Sequence, residues 1–563
     1  MKKLLVVTAT AALLATSACG SNNNNGNDAG ASPSASNPAS PSASAAPADP
    51  FGKYDETISY TTVLATSPDP KFPAGESYES NKFTSYVNDR LNIKEEILWT
   101  AQYGDAFDQK LNLAIASDDL PDVFIIGGAN ADVILKRLVD NDMIADLSDV
   151  YQSYASELFR TKIGGDASES FKYATFGGKL MAIPNQMNND GAELVWVRQD
   201  WLDKLKLPAP TTMDELMAVA KAFVEQDPDG NGKADTNGLG GQKDFIGVGG
   251  GIQTFTPIFS ALNAFPLLWV PGADGKLQYG GVQPEIKDAL AKLADMYKQG
   301  LIPKDFALTD FGKAIENVGS GTTGMLFQPW WAPTFPLMNA LQNNANADWK
   351  AYPLNNANGE FINATNKATT SYVVVRKGFE HPELAMKYVN VMEDVSAGLI
   401  PELEELKANL YKDASEKNPF ILNGAGAVYA DTTQRSWLKF KDVLAGTADV
   451  STLDPSEVTI YNDIKANRDN PKKELGKWAT DTAWSSGIDT LATSNAKFVV
   501  QQFGGTTETM KNKWQALVDL QKETYVKIIM GNKPLEAFDE FVAQWKSQGG
   551  DQITTEVQAA SAQ

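Results

Sequence analysis

From Ile58 onward the chain alternates short runs rich in β-branched residues with longer stretches of helical apolar spacing, and this alternation narrows the fold more than any other feature. Residues 58–64 read as a strand, 81–91 as a helix and 93–99 as a strand. Residues 105–117 place Phe107, Leu111, Ala114 and Ile115 on one helical face. Pro121 precedes a short apolar strand at 123–126, and 132–139 is helical again. Strands that alternate with amphipathic helices indicate an α/β fold with a mainly parallel sheet. In such sheets the loops at the carboxyl ends of the strands carry ligand groups. Here those loops hold Ser67 and Asp69, then Gly127, Gly128, Asn130 and Asp132.

At 563 residues the chain is too long for one core, and about 150 residues per domain gives two to four domains. The net charge of −21, from 49 basic and 70 acidic residues, excludes the basic stripe that a nucleic-acid surface needs. It also offers nothing to anionic lipid. One cysteine and one histidine rule out an intrachain disulfide and a Cys/His zinc site. A Ser/His hydrolase would need that single His381, which sits at an expected helix start, and neither a G-x-S-x-G elbow nor a Walker A pattern occurs. A glycosidase needs only two carboxylates at a fixed separation, so it stays open as the alternative.

Met1-Lys2-Lys3 is a positive n-region, residues 4–15 are apolar, and Thr16, Ser17 and Ala18 are small residues before Cys19. Residues 1–18 thus read as a secretory signal, too short to span a membrane. Small residues before a cysteine resemble a bacterial lipobox, which implies lipidation (palmitate) at Cys19. The pattern prefers Leu three places before the cysteine and finds Thr16 here; the other reading is an ordinary cleavage site with a chance cysteine. Residues 20–49 are mostly Ser, Asn, Ala and Pro and cannot bury enough surface to order themselves. Such a coil spans roughly 30 Å, enough to lift a folded body off a membrane. We expect residues 19–50 to be a lipidated tether.

The stretch at 177–205 reads as a Gly-Gly turn, a strand at 179–183, a break at Pro184 and a polar loop at 185–191. A strand at 193–198 and a helix from Gln199 follow. An amide-rich loop between two strands, with large domains on either side, suits a hinge that also touches ligand; Gln186, Asn188 and Asp190 are its candidates. Thr212 with Glu215 forms a capping box, and Met213, Leu216, Ala220 and Phe223 an apolar stripe behind it. Residues 369–376, TTSYVVVR, look like a second crossover, so flexing is expected about Pro184 and residues 369–372. A strand at 324–327 runs into Gln328-Pro329-Trp330-Trp331. Paired indoles after a strand offer platforms for the C–H face of a sugar ring, against the alternative that both pack between helices. Arg435 and Trp437 are further candidates for the cleft, and a last helix is expected to stop at Gly549-Gly550.

Residues 227–238, DPDGNGKADTNG, set Asp227, Asp229 and Asn231 at alternate places, with Gly232 for the turn, the Lys233 carbonyl and Asp235 beyond. That is the spacing of an EF-hand-like calcium loop. Gly238 stands where a bidentate Glu would close a true EF-hand, and a solvated Asp/Gly turn is the competing reading.

The crossover at 177–205, the run QDWLDKLKLPAPTTMDEL at 199–216 and the C-terminal segment at 524–553 together resemble bacterial extracellular solute-binding proteins. The resemblance is to the maltose-binding-protein-like, large Gram-positive lipoprotein type, and it covers nearly all of the chain after about residue 55. It implies a two-lobed, periplasmic-binding-protein-like (Venus-flytrap) α/β fold with a hinge of crossing strands. The lobes are expected at 51–184 plus about 372–445, and at 185–371 plus about 446–563. It further implies a monomeric, non-enzymatic, lipid-anchored protein on the extracellular face of the membrane. Such a protein would capture a carbohydrate and hand it to an ABC permease; the scarcity of Arg and Lys in the candidate loops favours a neutral oligosaccharide over a uronate, with Arg198 and Arg435 the residues that would argue otherwise. The substrate set is then Ser67, Asp69, Asn130, Asp132, Gln186, Asn188, Asp190, Trp330, Trp331 and Trp437, and the calcium is structural.

Overall fold

A computed structural model describes residues 48–561 except Asp166, Gly250, Lys417 and Asn418. The expected signal, Cys19 and most of the expected tether lie outside the described residues. Those described form one unit with apolar cores in two lobes.

In the first lobe, strand Ile58–Thr66 pairs in parallel with Ile93–Gln102. Beside them, Ser371–Val375 lies between Val123–Gly127 and Ile183–Pro184 and runs antiparallel to both. The lobe therefore holds a parallel pair beside a three-stranded antiparallel sheet rather than one mainly parallel sheet, because Ser371–Val375, the central strand of the three, arrives from the other lobe. The expected strand at 179–183 is split. Lys179–Leu180 folds back on Thr175–Phe176 across Gly177 and Gly178, both at positive φ, and only Ile183–Pro184 joins the main sheet. Helix Lys82–Leu91 starts where Asn81 accepts from Thr84 N. Helix Asp105–Ser117 buries the four residues on its expected face. Helix Glu383–Ser396 is buried almost all round and closes the core.

The second lobe is built on a four-stranded sheet in the order Trp349–Tyr352, Leu194–Arg198, Thr323–Gln328, Asn237–Leu239. Side chains alternate across a strand. Val195, Val197, Met325 and Phe327 enter one core, and Leu194, Trp196 and Leu326 the other. Helices Met213–Glu225, Ile286–Gln299 and Glu508–Ile529 cover the first face. The capping box at Thr212 and Glu215 is present, and Gly300 ends Ile286–Gln299 in the left-handed conformation.

Helix Thr432–Ala445, which the sequence reading placed with the first lobe, puts Trp437, Phe440 and Val443 into the core on the opposite face. The helix expected to be the last, Ala537–Trp545, is followed past Gly549-Gly550 by a further helix, Asp551–Ser561, which packs Ile553 and Val557 back onto the second lobe. Gly549, at φ 134°, makes the bend that a helix interior cannot. Among the described residues no helix is long and apolar enough to cross a membrane.

Candidate functional site: the hinge and the cleft beside it

Three segments, not two, pass between the lobes. Residues 184–190 form the middle one. Asn185 N donates to Ser371 O (3.0 Å) and Met187 N to Ala368 O (2.9 Å) on one side. On the other side Gln186 N donates to Gly426 O (3.1 Å), Val428 N to Gln186 O (3.0 Å) and Asn189 N to Ala430 O (2.8 Å). The third segment, around 424–433, carries only the short run Ala427-Val428-Tyr429-Ala430 between glycines and polar residues, too brief to betray a crossing in sequence. Gly426 sits at φ 96°, and a Cβ there would fall 2.5 Å from Glu393 Oε1.

Asn185 is the knot of the hinge. Its Oδ1 accepts from Thr370 N (2.8 Å) and Ser371 N (3.0 Å), and its Nδ2 donates to Thr370 Oγ1 (3.0 Å). Gln186, expected to meet ligand, instead donates to Lys162 O and Val428 O and accepts from Ser170 Oγ. Its polar atoms all have protein partners. The buried pair Lys162–Glu393 (2.6 Å) completes this side, with Glu393 accepting from Ala427 N.

A cavity of about 360 Å³ opens at the carboxyl ends of the first-lobe strands. Ala65, Tyr103, Asp108 and Gly127 line it from the lobe, Asn185, Met187 and Thr370 from the hinge, and residues 423–428 from the third segment. This size lies within the range of small-ligand pockets. Asn130 stands beside it, donating to Asp108 Oδ2 (2.9 Å). Asp132 does not line this cavity. It is held by Lys367 and by Tyr372 Oη (2.6 Å), with Lys367 lying over the Tyr173 ring at 4.8 Å. Ser67 and Asp69 also stand outside the lining; Ser67 N donates to Tyr78 Oη (3.1 Å) and Asp69 is exposed. Tyr103, exposed beside Gly128, was passed over in the sequence because it sits alone at the end of a strand.

On the second-lobe side three of the expected residues come together. Asp190 accepts from Asn188 Nδ2 (2.9 Å) and Thr433 Oγ1 (3.1 Å). The Trp330 indole faces the same carboxyl, its Nε1 buried but short of hydrogen-bond geometry. Burial raises the Asp190 pKa, and these donors oppose the rise. Trp331 stands perpendicular to Trp330 at 5.9 Å, while Trp330 also leans on Trp484 at 5.5 Å; both members of the pair are half-buried. Trp437 is not a cleft residue. It is 3% exposed and donates from Nε1 to Asp489 Oδ1 (2.7 Å), because helix Thr432–Ala445 turns that face inward.

Glu193, at the root of strand Leu194–Arg198, is 5% exposed and accepts from Gly251 N (2.9 Å) and Thr254 Oγ1 (2.7 Å). Burial with no cation partner raises its pKa to about 7. One acid in a loop gives no sequence signal for this.

In the loop at 227–235 the expected residues do gather. Asp227 accepts from Gly230 N (3.1 Å), Asn231 N (3.2 Å) and Gly232 N (3.0 Å). Asn231 Nδ2 bridges Asp229 (2.7 Å) and Asp235 (3.1 Å), and Lys233 N donates to Asn231 Oδ1 (2.7 Å). The hydrogen bond with Asp229 and these backbone donors lower the Asp227 pKa, while burial and the neighbouring carboxylates raise that of Asp229. Among the described residues no three acidic, cysteine or histidine side chains converge closely enough to hold a metal, and in this loop the Asn231 amide stands between the Asp229 and Asp235 carboxyls.

A family model described as "Bacterial extracellular solute-binding protein" matches residues 96–397. The chain is 27% identical to lipoprotein LipO of Bacillus subtilis over 47% of its length, a match that spans 49% of LipO. It is 25% identical to the polygalacturonan/rhamnogalacturonan-binding protein YtcQ of B. subtilis over 83% of this chain and 86% of YtcQ. With the fructooligosaccharide ABC transporter substrate-binding protein FusA of Streptococcus pneumoniae it shares 31% identity over 41% of this chain and 43% of FusA. In fold it is similar to an HMO-binding, ABC-transporter-associated solute-binding protein from Bifidobacterium longum infantis. That likeness has TM-score 0.52 and 18% identity over 91% of this chain and 99% of the other. With the family model spanning more than half of the 563 residues, and two lobes joined by hydrogen-bonded crossing strands, the chain belongs to the bacterial extracellular solute-binding proteins.

Proposed function

We propose that the protein binds a neutral oligosaccharide at the hinge side of its inter-lobe cleft, closes on it and presents it to an ABC permease without altering it. The carrying observation is the meeting of Trp330 with Asp190, Asn188 and Thr433 at the crossing strands. An indole face suits the apolar face of a sugar, and a carboxylate with an amide beside it suits its hydroxyls. Closure follows because contacts available only in the shut form shift the hinge equilibrium. Neutrality is supported by four cations near the crossing that already have carboxylate partners. Lys162 pairs with Glu393, Lys367 with Asp132, Arg435 with Asp431, and Arg198, buried against Trp201, with Asp200. A uronate polymer, as in the name of YtcQ, would find these four cations already paired; a neutral chain, as in the name of FusA, needs no free cation.

The likeness to a lipoprotein and to extracellular solute-binding proteins supports an anchored, extracellular location through Cys19. The loop at 227–235 supports a calcium role. Asp227, Asp229, Asn231, Asp235 and the Lys233 carbonyl are oxygen donors on a turn made by Gly230 and Gly232, both at φ 75°. The crowding that raises the Asp229 pKa is what a divalent cation would relieve. Such an ion would staple the loop and take no part in binding sugar.

The test is a thermal-shift screen of the protein against an oligosaccharide panel, repeated with Trp330→Ala plus Trp331→Ala. We expect a sugar that stabilises the wild type, is recovered chemically unchanged and no longer stabilises the double variant. Cleavage of the sugar would install a hydrolase in place of the binding protein, and an unchanged shift in the variant would remove the stacking role.

A further inference from the structure

Strand Leu194–Arg198 leaves the hinge at Leu194, and Leu194 pairs with Gln328. The carboxyl end of Thr323–Gln328 therefore faces the hinge. Helix Phe311–Gly319 precedes that strand and doubles back through Gly321, so its first turn stands at the same end. Gln253 marks the closeness: its N donates to Phe327 O (2.9 Å) and its Nε2 to Ala314 O (3.2 Å). The loop after the strand returns to this end too, where Gln328 Nε2 donates to Phe335 O (2.6 Å).

Phe311 and Phe335 thus meet on the cleft-facing end of the second lobe, ring centroids 6.1 Å apart and 35° from parallel. They are 46% and 39% exposed, and the neighbouring Leu308 is 84% exposed. Nothing in the lobe's core calls for these rings to stand in water. Exposed apolar patches rimmed by polar groups mark binding surfaces, and here Asp310 and Thr334 provide the rim. The patch is continuous in chain with Trp330 and Trp331 through the compact turn that joins Trp331 O to Thr334 N (3.0 Å).

We infer that Phe311 and Phe335 form an outer sugar platform that takes a ring farther along the same neutral oligosaccharide whose nearer ring lies at Trp330 and Trp331. The inference rests on the proposed function and deepens it: the protein reads chain length. One platform holds a short sugar, and the second is reached only by a longer one. Aromatic contacts of this kind are worth a few-fold in affinity each.

The experiment uses the full-length protein and the malto-, cello-, xylo- and fructo-oligosaccharides, from disaccharide to hexasaccharide, titrated by calorimetry. Wild type should bind long members of one series more tightly than short ones. Phe311→Ala with Phe335→Ala should lose about fivefold for long members and little for the disaccharide. Phe335→Tyr, which keeps a stacking face, should retain the length preference, and unliganded melting should fall only slightly in the double variant because both rings are already partly exposed. If sugars bind but length preference is absent, or survives in the double variant, the outer platform is overturned while the cleft reading stands. If no member of any series binds wild type, the cleft reading falls and the platform with it.

Discussion

Two loops of this protein are built from the same residue types and do opposite things. Residues 185–190 and residues 227–235 are both short, rich in Asn and Asp, and placed next to a strand or helix end. The first is threaded between two lobes, so its polar groups find partners far away in sequence: Thr370, Ser371, Val428 and Thr433. The second is solvated, and its Asp and Asn side chains find partners within the loop, at Gly230, Asn231 and Gly232, while the one distant group that meets it, Lys204 Nζ, donates to the Pro228 carbonyl (2.7 Å). A polar side chain that bridges distant segments makes a joint. One that bonds its own turn makes a self-contained loop, suited to an ion. Composition does not separate the two; the sequence distance to the partner does.

Substitutions can break that contrast, beginning with the largest effect. Asn185→Ala leaves Thr370 N and Ser371 N without their acceptor inside the hinge, and each lost buried partner costs about 1–3 kcal/mol. We expect urea unfolding to show a loss of about 3 kcal/mol; a loss below about 1 kcal/mol would mean the joint does not depend on this residue.

Glu193 tests the buried end of the same crossing. Its folded-state pKa, about 7, lies above the ordinary 4.5. Its contribution to stability is therefore complete below about pH 4.5 and is lost as pH rises to about 7, on the order of 3 kcal/mol in all. Glu193→Gln should flatten that part of the stability–pH curve and make the variant the more stable protein at pH 8. A variant whose curve runs parallel to wild type would dismiss the buried charge.

Calcium sharpens the other side of the contrast. If an ion staples the loop at 227–235, saturating calcium should raise stability by about 2–3 kcal/mol at a hundredfold excess over Kd, and a chelator should reverse it. Asp227→Ala should abolish the calcium response without changing sugar binding. Equal melting of metal-stripped and calcium-loaded wild type would leave the loop a plain turn.

The smallest effect belongs to Asn188→Ala. Removing one half-exposed donor to Asp190 should cost about 1 kcal/mol or less in folding, yet weaken the sugar that its amide faces. Ligand affinity equal to wild type would move the binding locus away from this corner.

Much of this was legible beforehand because it is local. The face of helix Asp105–Ser117 and the capping box at Thr212 follow from spacing and backbone preference within a few residues, and they stand as expected. Resemblance to a family added the two-lobed fold. Within the candidate site, Asn188, Asp190 and Trp330 lie together, while Gln186 bonds within the hinge and Trp437 is buried. Gln186 is an amide in the right loop, but its partners Lys162 and Val428 lie in segments that no spacing rule connects to it. Trp437 had to be allotted to a lobe before its side could be known, and helix Thr432–Ala445 packs against the second.

The sequence by itself determined the alternation that makes an α/β body, the face of helix Asp105–Ser117 and the capping box at Thr212, all of which depend on neighbours in the chain. Only the tertiary structure decided that a third, glycine-rich segment completes the hinge, that Glu193 is buried without a cation, and that Phe311 and Phe335 share one exposed face. Those features are contacts between residues far apart in sequence. Their energies depend on which solvent is excluded and which partner is met, and neither exists until the chain has folded.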